Sequence, residues 1–303
     1  MILIRELENI LPVERILVGE LLADHCSFRT GGPASYYLQV ENTGELTDVL
    51  RCLAAAECPY FIIGRGSNLL VGDRGYRGAV ISLTGAFLEI NAAGNLIEAG
   101  AGATLAALAK TALDAGLKGL EFASGIPGSL GGALVMNAGA YGGEMKQVVE
   151  SVTLLDPSDM SVRIIPGDGM SFGYRTSRLK TSGEIALFAG IRLLPGDREE
   201  IGALMKDLAE RRREKQPLNY PSAGSTFKRP EGYFAGKLIE EAGLKGFRVG
   251  DAQVSEKHCG FVINRGRATS GEILQLIEEV QRRVYEHSGV MLEREVICLG
   301  RFD

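Results

Sequence analysis

The chain has no tryptophan and only three histidines, His25, His258 and His287, among its 303 residues. Its five cysteines, Cys26, Cys52, Cys58, Cys259 and Cys298, are odd in number, scattered, and include no C-x-x-C. These shortages argue against a disulfide framework and against a zinc site, so no metal is expected. No run approaches the ~20 apolar residues that a membrane-spanning helix requires. The opening MILIRELENILP carries its charges among the apolar positions rather than ahead of them, unlike a secretory signal. An excess of positive charge is also missing: 33 Lys and Arg face 38 Asp and Glu, a net charge of -5. Neither nucleic acid nor an anionic membrane is an expected partner, and an anionic ligand has to be met by a local cluster. The scattered cysteines and the signal-unlike start point to a reducing cytoplasm, and with 45% hydrophobic and 23% charged residues the composition is that of an ordinary globular protein, not of a disordered, collagenous or coiled-coil chain. At roughly 150 residues per domain the length suggests about two domains.

Glycine is the residue in excess, 40 in all, and it clusters between Gly64 and Gly143. Around that cluster the periodicity alternates between strand and helix. Residues 36–40 and 60–63 read as strands, and Thr43 reads as the cap of a helix burying Leu46, Val49, Leu50 and Leu53. Thr104 opens a second helix that stops at Gly116. Residues 147–195 are strand-rich. Asp197 then caps a long helix that Pro217 should end, because proline disfavours helical geometry in the residue before it. The last third reads as a small domain with a helix near 234–242, a strand at 261–264, a helix from the Thr269-x-x-Glu272 capping box to Gly289, and a final strand in EVICLG. A domain boundary is expected near 195–215.

Two glycine-rich loops stand out. Gly64-Arg65-Gly66-Ser67-Asn68-Leu69 follows a strand but is neither a G-x-G-x-x-G fingerprint nor a P-loop. It can be a tight connecting turn or an anion cradle, since glycine lets a backbone approach a phosphate closely. The longer segment 125–142 has glycine and alanine throughout and can serve close sheet packing or an extended ligand lying on the main chain. Two such loops in one α/β half favour a bound dinucleotide.

The strings FRTGGPA, GRGSNLL, GIPGSLGGALVMNAGAYG, FGYRTS, AGSTFKRP and LEREV, in this order from about residue 20 to the C-terminus, resemble the UDP-N-acetylenolpyruvoylglucosamine reductases, flavoproteins of peptidoglycan precursor synthesis. The resemblance implies an α+β fold: a helical lead-in over 1–28, an FAD-binding domain of the vanillyl-alcohol-oxidase (PCMH) type made of two α/β subdomains over 29–195, and a smaller C-terminal α/β domain over 196–303 that binds substrate. It implies non-covalent FAD, NADPH as co-substrate, and a UDP-sugar substrate, in a monomer. Flavin contacts fall on Arg65, Gly66, Ser67, Asn68 and Leu69, and on Gly125, Ile126, Pro127, Gly128, Ser129, Gly131 and Gly132. Asn137, Gly139 and Arg212 join them.

The implied reaction moves hydride from NADPH through flavin to C3 of the enolpyruvyl group and a proton to C2. The protein must therefore hold a carboxylate that gains charge and supply one proton. By the motif matches Arg175 is the cation, Ser225 the proton donor and Glu295 the hydrogen-bonding acid, with Glu293 as the alternative acid. Lys215, Arg229, Tyr233, Lys245 and His258 are the implied substrate contacts. Three departures mark the chain: Arg229 replaces an asparagine, Ile297 an arginine, and the stretch from Arg175 to 185 is short, as in the shorter second subclass. A rival reading keeps fold and FAD but makes the protein a sugar or lactone alcohol oxidase, with His25 or Cys26 as a flavin tether.

Overall fold

The structure is a computed structural model that describes residues 2–302. Its contacts divide it into two compact units, one formed by residues 1–17, 36–65 and 78–212, the other by 18–35, 66–77 and 213–303.

In the first unit the helix Thr43–Ala55 lies between the strands Ala34–Val40 and Tyr60–Ile63, and turns Leu46, Val49, Leu50 and Leu53 inward at the expected spacing. Its cap is Asn42, one residue earlier than expected: the extended Asn42 backbone lets its side chain accept from the Glu45 N–H, while the Thr43 carbonyl is already inside the helix and accepts from Thr47 Oγ1. The helix Leu105–Asp114 is capped by Thr104 and released at Gly116, as its sequence signals indicate. These helices share one apolar core with a five-stranded antiparallel sheet ordered Val162–Pro166, Val149–Leu155, Ile185–Arg192, Leu96–Gly100 and Ile90–Ala93. Of the expected lead-in, Ile2–Glu8 is helical, but Ile16–Val18 forms an edge strand of the four-stranded sheet.

Arg15 anchors the lead-in to the first long helix with two 2.9 Å bonds to the Glu45 carboxylate. That fork holds the Glu45 carboxyl below the usual glutamate range. A carboxyl whose folded pKa is depressed stabilises the fold above its unfolded pKa, and the contribution is lost as pH falls through the folded value. Glu45→Gln is therefore expected to cost about 1 kcal/mol at pH 7 and progressively less at acid pH below the usual glutamate range. A deficit of equal size at neutral and acid pH would assign the loss to packing instead.

The second unit contains a three-stranded antiparallel sheet, Arg248–Val249, Ala252–Val254 and Val262–Asn264, and the helices Ala235–Glu241 and Ser270–Ser288. The longer helix has the expected capping box of Thr269 and Glu272 and ends at Gly289 in the left-handed region. The Asp73 carboxylate accepts from the N–H groups of Ser270 and Gly271, both at 2.8 Å.

The two units do not follow the linear division at 29–195 and 196–303. Leu69–Val71 pairs in parallel with Ile297–Leu299, and the main chain at Gly72, Arg74 and Gly75 bonds to Leu299 and Arg301. Residues 66–77 thus belong with the end of the chain. Residues 18–35 join them through the Gly32 N–H to Gly72, the Tyr76 N–H to Pro33, and the Asn264 amide to Phe28. Among the described residues no helix is long and apolar enough to cross a membrane.

Candidate functional site

The first glycine loop follows the strand Tyr60–Ile63, and the boundary between units falls inside it. Arg65, in the first unit, is exposed. In the second unit Gly66 has φ +58°, and a Cβ there would lie 2.0 Å from the His25 carbonyl oxygen and 2.7 Å from Cys26 Cα. Only glycine permits this approach, and the Ser27 N–H donates to the Gly66 carbonyl at 3.1 Å. Cys26, weighed as a flavin tether, is buried; its thiol donates to the Thr30 carbonyl at 3.2 Å and burial pushes its pKa up, which disfavours the reactive thiolate. His25 Nε2 pairs with Glu20 at 2.9 Å.

Asn68 ties this loop to the end of the chain. Its Nδ2 donates to the Glu295 carbonyl at 3.2 Å, and its carbonyl accepts from the Ile297 N–H at 3.0 Å. The Glu295 N–H in turn donates to the Thr226 carbonyl at 2.9 Å, and Phe227 bridges Arg294 in antiparallel register. Loop residue Asn68, the expected donor Ser225 and the expected acid Glu295 are therefore neighbours within the second unit. Glu295 is half-buried, whereas Glu293 is exposed and ion-paired with Lys228. Ile297 is committed to its strand beside Leu69.

The second glycine loop lies in the first unit, held by main-chain bonds: Leu105 N–H to Gly128, Leu130 N–H to Ala103, and Gly131 N–H to Ala101. Ser129 is buried and caps the helix Leu130–Met136, accepting from the Gly132 N–H. Pro127 and Gly132 are exposed and Gly125, Ile126 and Gly128 half-buried, so backbone remains open to a ligand. Beside this loop is Arg212, whose Cδ is 3.4 Å from the position of a Cβ on Gly125. Burial lowers the Arg212 pKa, which means that its charge has lost part of its hydration. A desolvated guanidinium over an open glycine backbone is the donor set a pyrophosphate requires, and FAD fits these residues.

Arg175 is also in the first unit, half-buried, at φ +53°, a conformation uncommon outside glycine. Gly173 and Thr176 exchange backbone hydrogen bonds across Tyr174 and Arg175, closing a tight turn. One helical turn, Leu179–Ser182, fills the short stretch to the next strand, and the Arg178 guanidinium grips the buried Glu184 carboxylate with bonds of 2.9 and 3.1 Å. Asn137, expected among the flavin contacts, is 1% exposed and its side chain is engaged within the protein. Nδ2 donates to Glu144 Oε2 at 2.7 Å and to the Gly173 carbonyl at 3.0 Å, and Oδ1 accepts from the Lys146 N–H at 2.9 Å. With both amide protons used, its side chain has no donor left for a flavin.

The expected substrate contacts are all in the second unit. Arg229 stacks over Phe234 at 3.9 Å and donates to the Tyr233 carbonyl; the Tyr233 ring is exposed. Lys245 is exposed and paired with Glu240 at 2.9 Å, and Lys215 is exposed at the end of its helix. His258 Nδ1 accepts from the Gly260 N–H at 3.1 Å, which leaves Nε2 as the protonated nitrogen of the neutral ring, and burial lowers its pKa. Sequence reasoning overlooked Thr226, fully buried, whose Oγ1 accepts from the Val262 N–H; a threonine between the serine and Phe227 was its only signal. It also overlooked Glu144, whose partner is seven residues away and leaves no periodic trace.

Comparison with known proteins places this geometry. Residues 34–164 match the model of an FAD binding domain, and residues 216–299 match the C-terminal domain of UDP-N-acetylenolpyruvoylglucosamine reductase. The chain is 52% identical over 292 residues to the UDP-N-acetylenolpyruvoylglucosamine reductase of Clostridioides difficile, covering 96% of each chain. It is 49% identical over 304 residues to the reductase of Agathobacter rectalis, again covering 96% of each. Among solved structures it is similar to the enzyme of Thermus caldophilus, with a TM-score of 0.82 and 38% identity over 94% of this chain and 99% of that one. Full-length similarity of this degree, with an FAD-binding domain ahead of the reductase C-terminal domain, means that the chain belongs to the UDP-N-acetylenolpyruvoylglucosamine reductase family.

Proposed function

We propose that the chain reduces UDP-N-acetylenolpyruvoylglucosamine to UDP-N-acetylmuramate with Arg175 as the carboxylate cation, Ser225 as the proton donor and Glu295 as the hydrogen-bonding acid. The observation that carries the assignment of Ser225 and Glu295 is their adjacency, with the Glu295 N–H bonded to the Thr226 carbonyl and the Asn68 amide bonded to the Glu295 carbonyl. Bound FAD supplies the two-electron relay between NADPH and C3 of the enolpyruvyl group. The backbone at 125–132 and the Arg212 guanidinium beside it hold its pyrophosphate in this reading.

Hydride arrival at C3 makes C2 strongly basic and spreads charge into the neighbouring carboxylate. A serine hydroxyl, too weak an acid for most tasks, becomes a competent donor to such a carbon at hydrogen-bonding distance. The planar fork of Arg175 suits a carboxylate whose charge grows during reaction. Lys215, Lys245 and the neutral Nε2–H of His258 offer donors to the diphosphate, with Arg229 and Tyr233 at the sugar nucleotide. The reading places the protein in the cytoplasm, where NADPH and UDP-sugars are made, and one chain supplies every role.

Anaerobic titration with NADPH should bleach the flavin, and UDP-N-acetylenolpyruvoylglucosamine, but not UDP-N-acetylglucosamine, should restore its colour. Reoxidation by oxygen alone, with no response to the enolpyruvyl substrate, would favour the oxidase reading, as would flavin that stays with the acid-denatured protein. Arg175→Lys should lower kcat about tenfold or more while changing KM less, because a point charge does not reproduce the bidentate fork. An unchanged kcat would remove Arg175 from the transition state.

A further inference from the structure

Arg175 sits on a turn that its own sequence does not favour, and what holds that turn lies elsewhere in the first unit. The Gly173 carbonyl accepts from the Thr176 N–H at 3.3 Å and from Asn137 Nδ2 at 3.0 Å. Asn137 is itself in the left-handed region at φ +42°, closing the helix Leu130–Met136. The Lys146 N–H must face its amide oxygen and the Gly173 carbonyl its nitrogen, so only one orientation of the amide serves both. Glu144 secures the second amide proton and is held in turn by the Lys146 ammonium at 2.7 Å and by a capping box with Gln147. Glu144 ends a tight hairpin, Gly139–Ala140 against Gly143–Glu144, whose two turn residues Tyr141 and Gly142 both have positive φ. The first residue of that hairpin returns to the arginine: the Gly139 carbonyl accepts from Arg175 Nη1 at 3.4 Å.

We propose that Asn137 and Glu144 are positioning residues for Arg175: the buried amide fixes the backbone of its turn through Gly173, and Glu144 fixes both that amide and the hairpin whose carbonyl meets the guanidinium. This rests on the reading of Arg175 as the cation that holds the substrate carboxylate. A left-handed arginine turn relaxes when its carbonyl anchor is removed. The guanidinium then points elsewhere, and a misplacement of about 1 Å in an active site costs up to ~10²-fold in rate.

The test uses the holoenzyme and its two half-reactions. Asn137→Gly keeps the left-handed backbone and deletes only the side chain. It is expected to slow flavin reoxidation by the enolpyruvyl substrate at least about tenfold, with KM changed less and flavin reduction by NADPH within about twofold of wild type. Glu144→Ala should do the same, and Glu144→Gln, which retains an acceptor for the Asn137 amide, should recover most of the rate. In the Arg175→Ala background Asn137→Gly should bring no further loss, because its effect passes through the missing guanidinium. Normal reoxidation in Asn137→Gly and Glu144→Ala beside a slow Arg175→Ala would overturn the positioning roles alone, as would an additive loss in the double variant. Normal reoxidation in Arg175→Ala would instead sink the reading of Arg175. Should Asn137→Gly not fold, the Ala and Gln pair at Glu144 decides the same question.

Discussion

Ser225→Ala is expected to retain flavin and to be reduced by NADPH at the wild-type rate, yet to lose reoxidation by the enolpyruvyl substrate by about 10²-fold or more, the usual cost of removing a general acid. The fold should tolerate the change, because Ser225 is exposed and its place is set by the next residue. Thr226 is pinned on three sides: its N–H donates to the Gly260 carbonyl, its carbonyl accepts from the Glu295 N–H, and its Oγ1 accepts from the Val262 N–H. The loss is therefore chemical. Ser225→Cys should keep part of the rate, since a thiol is the stronger acid. Stopped-flow measurement of the second half-reaction separates these outcomes, and a Ser225→Ala enzyme that reoxidises at the wild-type rate would move proton donation to another group.

Gly66→Ala is the second large effect, and it acts on the first glycine loop, a flavin contact in the proposed reading. The new methyl would lie 2.0 Å from the His25 carbonyl at a backbone angle that alanine avoids. Its backbone neighbours have no room to yield, and a cost of about 3–5 kcal/mol follows from strain and collision together. The purified variant should be colourless or release FAD on dilution, and its melting point should fall by about 10 °C. Gly94→Ala separates the two causes. Gly94 has φ +60° but nothing within 4 Å of a Cβ, so only the conformational penalty applies, about 1 kcal/mol. Equal losses in the two variants would show that the packing of Gly66 on His25 and Cys26 does not matter.

The helices Leu105–Asp114 and Ser270–Ser288 were legible because each is closed by a local signal. Thr104 and Gly116 bracket one, and Thr269, Glu272 and Gly289 bracket another. Asn42 took the capping role from Thr43 because both residue types can cap and their sequence order does not say which backbone will be extended. The pairing of Leu69–Val71 with Ile297–Leu299 left no trace at all, since a strand of three apolar residues has no period to read and its partner is remote in sequence. In the site, the glycine loops announced themselves by composition. That composition does not say what Asn137 does in the same string, where it closes a helix and spends its side chain within the protein. The strained turn at Arg175 had no signal, because an arginine with positive φ is imposed by its surroundings and not by its own preference.

The pairing of Leu69–Val71 with Ile297–Leu299 also bears on how the chain is made. During synthesis the apolar strand Leu69–Val71 leaves the ribosome with no partner, and it must wait until residues 297–299 have emerged. Contacts so distant in sequence form slowly, and an unpaired strand edge left in the open invites association with other chains. A premature stop anywhere before residue 297 would release a product in which the strand Leu69–Val71 has lost its only partner strand among the described residues. Such fragments should be prone to association and to proteolysis.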